Sequence, residues 1–202
     1  KASDTIFLFT SDHGDMLGSQ GEWRKQRPWD EAIRVPFLLR YPPLTGGASR
    51  TLSAPIDAPD IMPTLLGLCA LPVPATVEGR DFSGYIRGGP DPSGGAAVIA
   101  CYHPFGEWER SAGGREYRGL RTERFTYVKT LDGPWLLYDN QEDPYQMTNL
   151  INDPGRAGIR AELEERLQAE LARQHDEFLH GMDYIRRWGY TVDASGTVPY
   201  TP

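Results

Sequence analysis

The run Thr5-Ile6-Phe7-Leu8-Phe9-Thr10 constrains the fold more than any other stretch of this chain. Four consecutive large apolar side chains among β-formers leave no face of the strand for solvent. Such a run predicts a strand buried on both faces, as in a parallel sheet covered by helices. A polar, Gly-containing loop follows, from Ser11 to about Pro28. Residues 35–40 read as a second strand, with Pro36 confined to its start. Residues 41–49 read as a Pro/Gly-rich loop.

Residues 57–68 read as a helix. Asp57 can cap it, Asp60 suits its first turn, and Ile61, Leu65 and Leu68 share a face. Pro63 stands against that reading, because it removes a backbone bond. Residues 73–95 are a connector of Gly and Pro, and the boundary of the larger α/β unit falls there, dividing 1–94 from 95–202. Beyond it the pattern changes to short strands at 96–101, 117–122, 124–129 and 135–138. Asp132-Gly133 signals a hairpin turn. Asp153-Pro154 opens a long helix in which Ile159, Leu163, Leu167 and Leu171 recur every four residues, a core-packing stripe. The last twenty residues carry no clear period.

Charge and composition exclude some functions. The net charge is −7, with both signs scattered, so no concentrated basic face offers itself to nucleic acid. No apolar run approaches the ~20 residues of a membrane-spanning helix. Cys69 and Cys101 are too few for a disulfide framework and read as two free buried thiols. No Met and no signal peptide open the chain, which reads as cut from something longer. The compartment is left open.

The chemistry concentrates in Ser11-Asp12-His13-Gly14-Asp15, directly after the first strand. Ligands bind at the carboxyl ends of strands in open α/β sheets. Asp12 and His13 are both metal ligands by type, and an oxygen beside an imidazole nitrogen suits a divalent cation. Two neighbours cannot fill a coordination sphere, so other ligands must come from elsewhere. Lys25, in the same loop, can hold an anionic oxygen as a point charge. Arg24, Arg27 and Arg34 are further anion binders by type, and Arg34, against a strand start, reads as structural. The plainer reading is a capped turn with a surface histidine and a solvated lysine. His103, after a predicted strand, can reach a substrate pocket, with Glu107, Trp108 and Arg110 on its rim. His175 and His180 read as residues at the negative end of the long helix.

The stretch F-T-S-D-H-G-D-M-L-G-S-Q-G, followed by R-K-Q-R-P-W-D-E-A-I-R-V-P-F-L-L-R, resembles the sulfatase family of the alkaline-phosphatase-like superfamily. The likeness continues through Asp60-Ile61-Met62-Pro63-Thr64-Leu65-Leu66, Gly79-Arg80-Asp81, Arg121–Tyr127, and the segment from Leu137-Tyr138-Asp139 to Asn149-Leu150. It covers most of residues 5–170.

The resemblance implies an α/β fold. Residues 1–94 would be the C-terminal part of a mixed sheet flanked by helices, and 95–202 a small antiparallel-sheet-plus-helix subdomain. It implies Asp12 and His13 as two ligands of one metal, Ca²⁺ in the first place with Mg²⁺ open. Lys25 would be the catalytic residue contacting the sulfate; His103, from its place after a predicted strand, is a second candidate substrate contact. The substrate would be a sulfated small molecule or sulfated sugar. The family's nucleophile is a formylglycine made inside C/S-x-P-x-R, and that motif is absent from these residues. The chain alone is therefore expected to be inactive. A missing N-terminal segment, or self-association, is expected to cover its first strand. Two other readings stand beside this one: a phosphonate or phosphate monoester hydrolase of the same superfamily, and a structural or binding module without turnover.

Overall fold

The computed structural model describes residues 1–46, 48–194 and 196–199. Its elements in chain order are β1 (Phe7–Thr10), α1 (Asp30–Ile33), β2 (Phe37–Arg40), α2 (Pro42–Thr45), α3 (Ala58–Leu68), α4 (Ser83–Ile86), β3 (Ala96–Cys101), β4 (Tyr117–Thr122), β5 (Phe125–Thr130), β6 (Gly133–Asp139), α5 (Ala157–Arg173) and α6 (Gly181–Arg187). They form two sheets, β1 with β2 and the meander β3-β4-β5-β6. The fold is mixed α/β, as expected.

The meander is the centre of the molecule. All its neighbours are antiparallel, so side chains alternate between two faces. One face carries Ala96, Leu120, Tyr127 and Leu137, which pack on Leu163, Leu167 and Leu171 of α5. The leucine stripe read from the sequence is this contact, with Ile159 at its edge. The other face carries Cys101, Tyr117, Val128, Leu136 and Tyr138, and these pack on Met16, Trp29, Ala32 and Trp108. Residues 14–33 therefore cover the second sheet, although they belong to the first half of the chain.

The helix ends follow the sequence. Asp57 and Asp60 form a reciprocal capping box at the start of α3, and Pro63 is accommodated inside it. Asp153 accepts from the Gly155 amide at 2.8 Å, and a short 3₁₀ turn, Pro154–Arg156, leads into α5. In the β5–β6 hairpin Thr130 pairs with Gly133. The two connecting residues are thus Leu131 and Asp132, one position earlier than the Asp-Gly signal suggested, and Gly133 opens β6 with φ +121°. Four short helices were not expected, α1, α2, α4 and α6. Both α2, inside the Pro-rich loop, and α6, near the C-terminus, are too short to show a period.

Three expectations need correction. β1 is a strand, but its hydrogen-bonded partner among the described residues is β2, antiparallel. Its apolar side chains are not covered on both faces: Phe7 and Phe9 are 60% and 53% exposed, and Leu38 opposite Phe9 is 63% exposed. The reason is supply. The helices α3 and α4 bring Leu68, Phe82 and Ile86 to one side of this small sheet, against Ile6 and Leu39, and the described residues place nothing comparable on the other. The cysteines are both free, yet only Cys101 is buried, and Cys69 is exposed at the end of α3. His180 does not sit at the end of α5. It occupies the N-cap position of α6 without a side-chain capping bond, 3.7 Å from the Glu116 carboxylate.

A loop of metal-ligand and cationic residues

Asp12 and His13 leave the end of β1 in a tight turn. Ser11 Oγ donates to the His13 carbonyl at 2.8 Å, and the His13 amide donates to Asp12 Oδ1 at 3.0 Å. The Asp12 side chain is 85% exposed. Backbone hydrogen bonding, with the neighbouring His13, holds its carboxyl below the usual range, so it stays an anion. His13 Nδ1 lies 2.6 Å from the Gly14 carbonyl. A carbonyl can only accept, so the proton belongs on Nδ1. The other ring nitrogen, Nε2, lies 3.5 Å from Asp12 Oδ2. A ring fixed through one nitrogen with the other turned beside a carboxylate is the usual posture of a metal-ligating histidine.

The turn is held in place by Gly14. A β-carbon there would lie 1.9 Å from the Glu31 carbonyl, so only glycine allows this approach to α1. The Gly14 amide donates to the Ala32 carbonyl at 2.8 Å. Farther on, Asp15 Oδ1 accepts from the amides of Leu17 and Arg24 at 3.0 and 3.1 Å. The Met16 amide reaches the Arg24 carbonyl at 3.0 Å. The segment following Asp12 and His13 is thereby tied to the segment leading into Lys25.

Lys25 is half-buried and stands between two residues in the left-handed region, Arg24 at φ +67° and Gln26 at φ +72°. Strain of that kind persists only where surroundings enforce it. Here they do. Arg27, 6% exposed, donates to the Lys25 carbonyl at 2.7 Å. It also pairs with Glu22 at 2.9 Å and lies 5.0 Å over the Trp108 ring. Gln26 bonds reciprocally to Phe105, donating to its carbonyl at 3.0 Å and accepting from its amide at 3.3 Å. The Lys25 ammonium has no ion-pair partner among the described residues. Arg24 makes only a long exposed contact with Glu107, 3.8 Å, and Arg34 one with Asp30, 3.7 Å. Of the three arginines weighed as anion binders, Arg27 is spent on packing.

Sequence reasoning missed the residues that anchor this loop. Arg121 grips Asp30 at the start of α1 through two 2.8 Å bonds. Gln146 Oε1 accepts from the Asp30 amide at 3.0 Å, while its Nε2 donates to Thr126 and Asn140. Trp29 Nε1 donates to the Tyr138 hydroxyl at 3.1 Å. The available signal was Gln146 itself, an amide inside the segment 137–150 that carries the resemblance.

His103 belongs to a different neighbourhood. Its loop touches the Lys25 loop through Phe105, but its ring turns away, with Nε2 3.0 Å from the Gly196 carbonyl and Nδ1 buried without a partner. Trp108 is core, and Arg110 bonds to the buried Glu116. Burial, then the charge of Glu116, pushes the Cys101 thiol up to about 12, so it is no nucleophile at neutral pH.

Asp12 and His13 suit a divalent cation by donor type. Among the described residues no group of three or more His, Cys, Asp or Glu side chains converges as a metal cage.

Residues 18–174 match the family model described as N-sulphoglucosamine sulphohydrolase, C-terminal. The chain is similar to an ulvan-active sulfatase of Formosa agariphila, 39% identical over 98% of this chain and 39% of that protein. It is similar also to an arylsulfatase of Clostridium perfringens, 31% identical over 96% of this chain and 39% of that one. Among solved structures it resembles the phosphonate monoester hydrolase of Agrobacterium radiobacter, with TM-score 0.72, 30% identity, and coverage of 99% of this chain and 40% of that chain. The chain spans about two fifths of the length of these relatives.

Proposed function

The chain belongs to the sulfatase family, and from that premise we propose that it supplies one wall of an active site hydrolysing a sulfate ester of a small molecule or sugar. The observation that carries this reading is the posture of His13. Its Nδ1 is held by the Gly14 carbonyl, and its Nε2 lies beside the exposed Asp12 carboxylate. On this reading Asp12 and His13 hold a divalent metal, Ca²⁺ or Mg²⁺, with further ligands supplied by sequence outside these 202 residues. When bound, such a cation stabilises negative charge on the ester oxygens. Lys25 is assigned to neutralise the oxygen released as the S–O bond breaks, and it brings an ammonium not committed to any ion pair. Its strained neighbours and the buried Arg27 keep its backbone fixed, so little reorganisation is needed when charge develops. The nucleophile is assigned to a formylglycine outside these residues, because C/S-x-P-x-R does not occur in them. The 202 residues alone should then show no turnover.

A second reading is favoured by the likeness to a phosphonate monoester hydrolase. In that case the same residues would serve a phosphorus ester. Initial rates of the longer protein on matched aryl sulfate, aryl phosphate and aryl phosphonate monoesters separate the two. The sulfate should be hydrolysed with the highest kcat/KM. A phosphonate preferred over the sulfate would transfer the assignment to the second reading.

A further inference from the structure

Among the described residues two buried polar atoms lack a hydrogen-bond partner, Oδ1 of Asp57 and Nδ1 of His103. Asp57 stands in an unusual setting. A capping box ordinarily joins a neutral Ser or Thr to an acidic residue three positions on, with one negative charge. At the start of α3 both members are aspartates.

The two carboxyl groups are not equivalent. Asp60 is 4% exposed, and both its oxygens are satisfied by amides, Oδ2 by Asp57 at 3.1 Å and Oδ1 by Arg80 at 2.6 Å. It is therefore the fully satisfied member of the pair. Asp57 accepts from the backbone of Asp60, and its second oxygen is enclosed with no donor. The cation nearby makes no bond to it and acts only through its charge, which lowers the Asp57 carboxyl without outweighing burial and Asp60. Nη2 of Arg80 bonds to both oxygens of Glu170 in α5, at 2.6 and 2.7 Å, and Arg173 adds a 3.0 Å bond to the same carboxylate. From β3 the Val98 backbone hydrogen-bonds to the Asp57 carboxyl and acts to lower it, against the larger effects of burial and Asp60. The Asp81 carboxylate lies farther along α3, against Gly67. The group cannot easily move away, because the turn that carries Arg80 is packed on α3. A β-carbon at Gly79 would lie 2.0 Å from the Pro59 carbonyl.

We propose that Asp57 is held as the neutral acid beside Asp60, and that this pair is a pH-sensitive clasp where the N-terminus of α3 meets the edge strand β3 and, through Arg80, α5. In the closed state Asp57 is the neutral acid and Asp60 the anion. When Asp57 ionises, its proton passes to water and two negative charges face each other in the first turn of α3. Burial first, and the charge of Asp60 second, raise the Asp57 carboxyl from 3.8 to about 7. A carboxyl raised in the folded state favours folding while protonated. Its contribution is whole below the unfolded value and is lost as pH rises from 3.8 to about 7.

The test is a carbon-13 NMR titration of the side-chain carboxyl groups in the intact chain, with Asp57→Asn and Asp57→Ser for assignment. The Asp57 resonance should titrate with a midpoint near 7. Melting temperatures should agree with it: relative to wild type, both neutral variants gain stability as pH rises from 5 to 8, and the gain levels off above that. A midpoint in the ordinary carboxylate range overturns the proposal. So does a melting-temperature difference that does not change with pH. Should both variants fail to fold, the wild-type titration alone decides, since only one carboxyl resonance is expected to move near pH 7.

Discussion

The two sheets of this molecule contrast in how completely they are covered. The meander has α5 on one face and residues 14–33 on the other, and Leu120, Tyr127, Val128 and Leu137 are fully buried. The pair β1–β2 has one face on α3 and α4 and leaves Phe7, Phe9 and Leu38 open. The candidate site residues straddle the two. Asp12 and His13 hang from the end of the open sheet, but the loop that carries them to Lys25 is bolted to the covered one through Trp29, Asp30 and Gln146. The open strand points the loop, and the closed sheet fixes its shape.

The largest effect should come from the buried ion pair of the closed sheet. Arg118 is fully buried, bonds to Asp176, and lies 3.8 Å over the Tyr102 ring. Arg118→Ala strands a buried carboxylate and should cost about 3–5 kcal/mol, read by urea denaturation. Burial acts to raise the Asp176 carboxyl, but the Arg118 and Tyr184 hydrogen bonds outweigh it and hold it below the usual range. The pair's stability is therefore present above 3.8 and lost as pH falls through that lowered value, and Arg118→Ala should flatten this acid limb.

Next in size is Leu167→Ala, which removes a fully buried side chain from the α5 contact and should cost about 2–5 kcal/mol. Gly14→Ala forces a β-carbon onto the Glu31 carbonyl. A loss of about 1–3 kcal/mol is expected, together with faster proteolysis within the Asp12–Lys25 loop, while the meander stays folded. Smallest is Phe9→Ser on the open face, at about 0.5 kcal/mol or less for this chain. A loss as large as that of Leu167→Ala would mean that the open face is covered in solution, and the contrast between the sheets would fail.

The same contrast decides what could be read in the sequence. Strands β3 and β4, the α3 capping box and the α5 stripe were legible because each is a local pattern with clear ends. The β1 run was legible as a strand. Its apolarity says that both faces seek cover, but not what supplies the cover. The packing of 14–33 on the meander was not legible. Met16, Trp29 and Ala32 follow no period, and the bonds that seat them join residues 91 to 116 positions apart. The candidate site was legible as residue types at a strand end. The posture of His13 depends on the Gly14 carbonyl, and the rigidity of Lys25 on Arg27 and Trp108, which only the fold brings together. His103 was legible as a loop histidine after a strand, and its contact with the Gly196 carbonyl was not.

The claim that matters most is that Lys25, fixed but unpaired, acts on the ester. It is tested by kcat/KM for an aryl sulfate in the longer protein that contains this chain, wild type against Lys25→Ala. Loss of one preorganised charge at the reacting oxygen should lower the value by about 10²–10³-fold, with metal content and melting temperature unchanged. A Lys25→Ala enzyme that keeps the wild-type rate would contradict the account and leave this loop a structural turn.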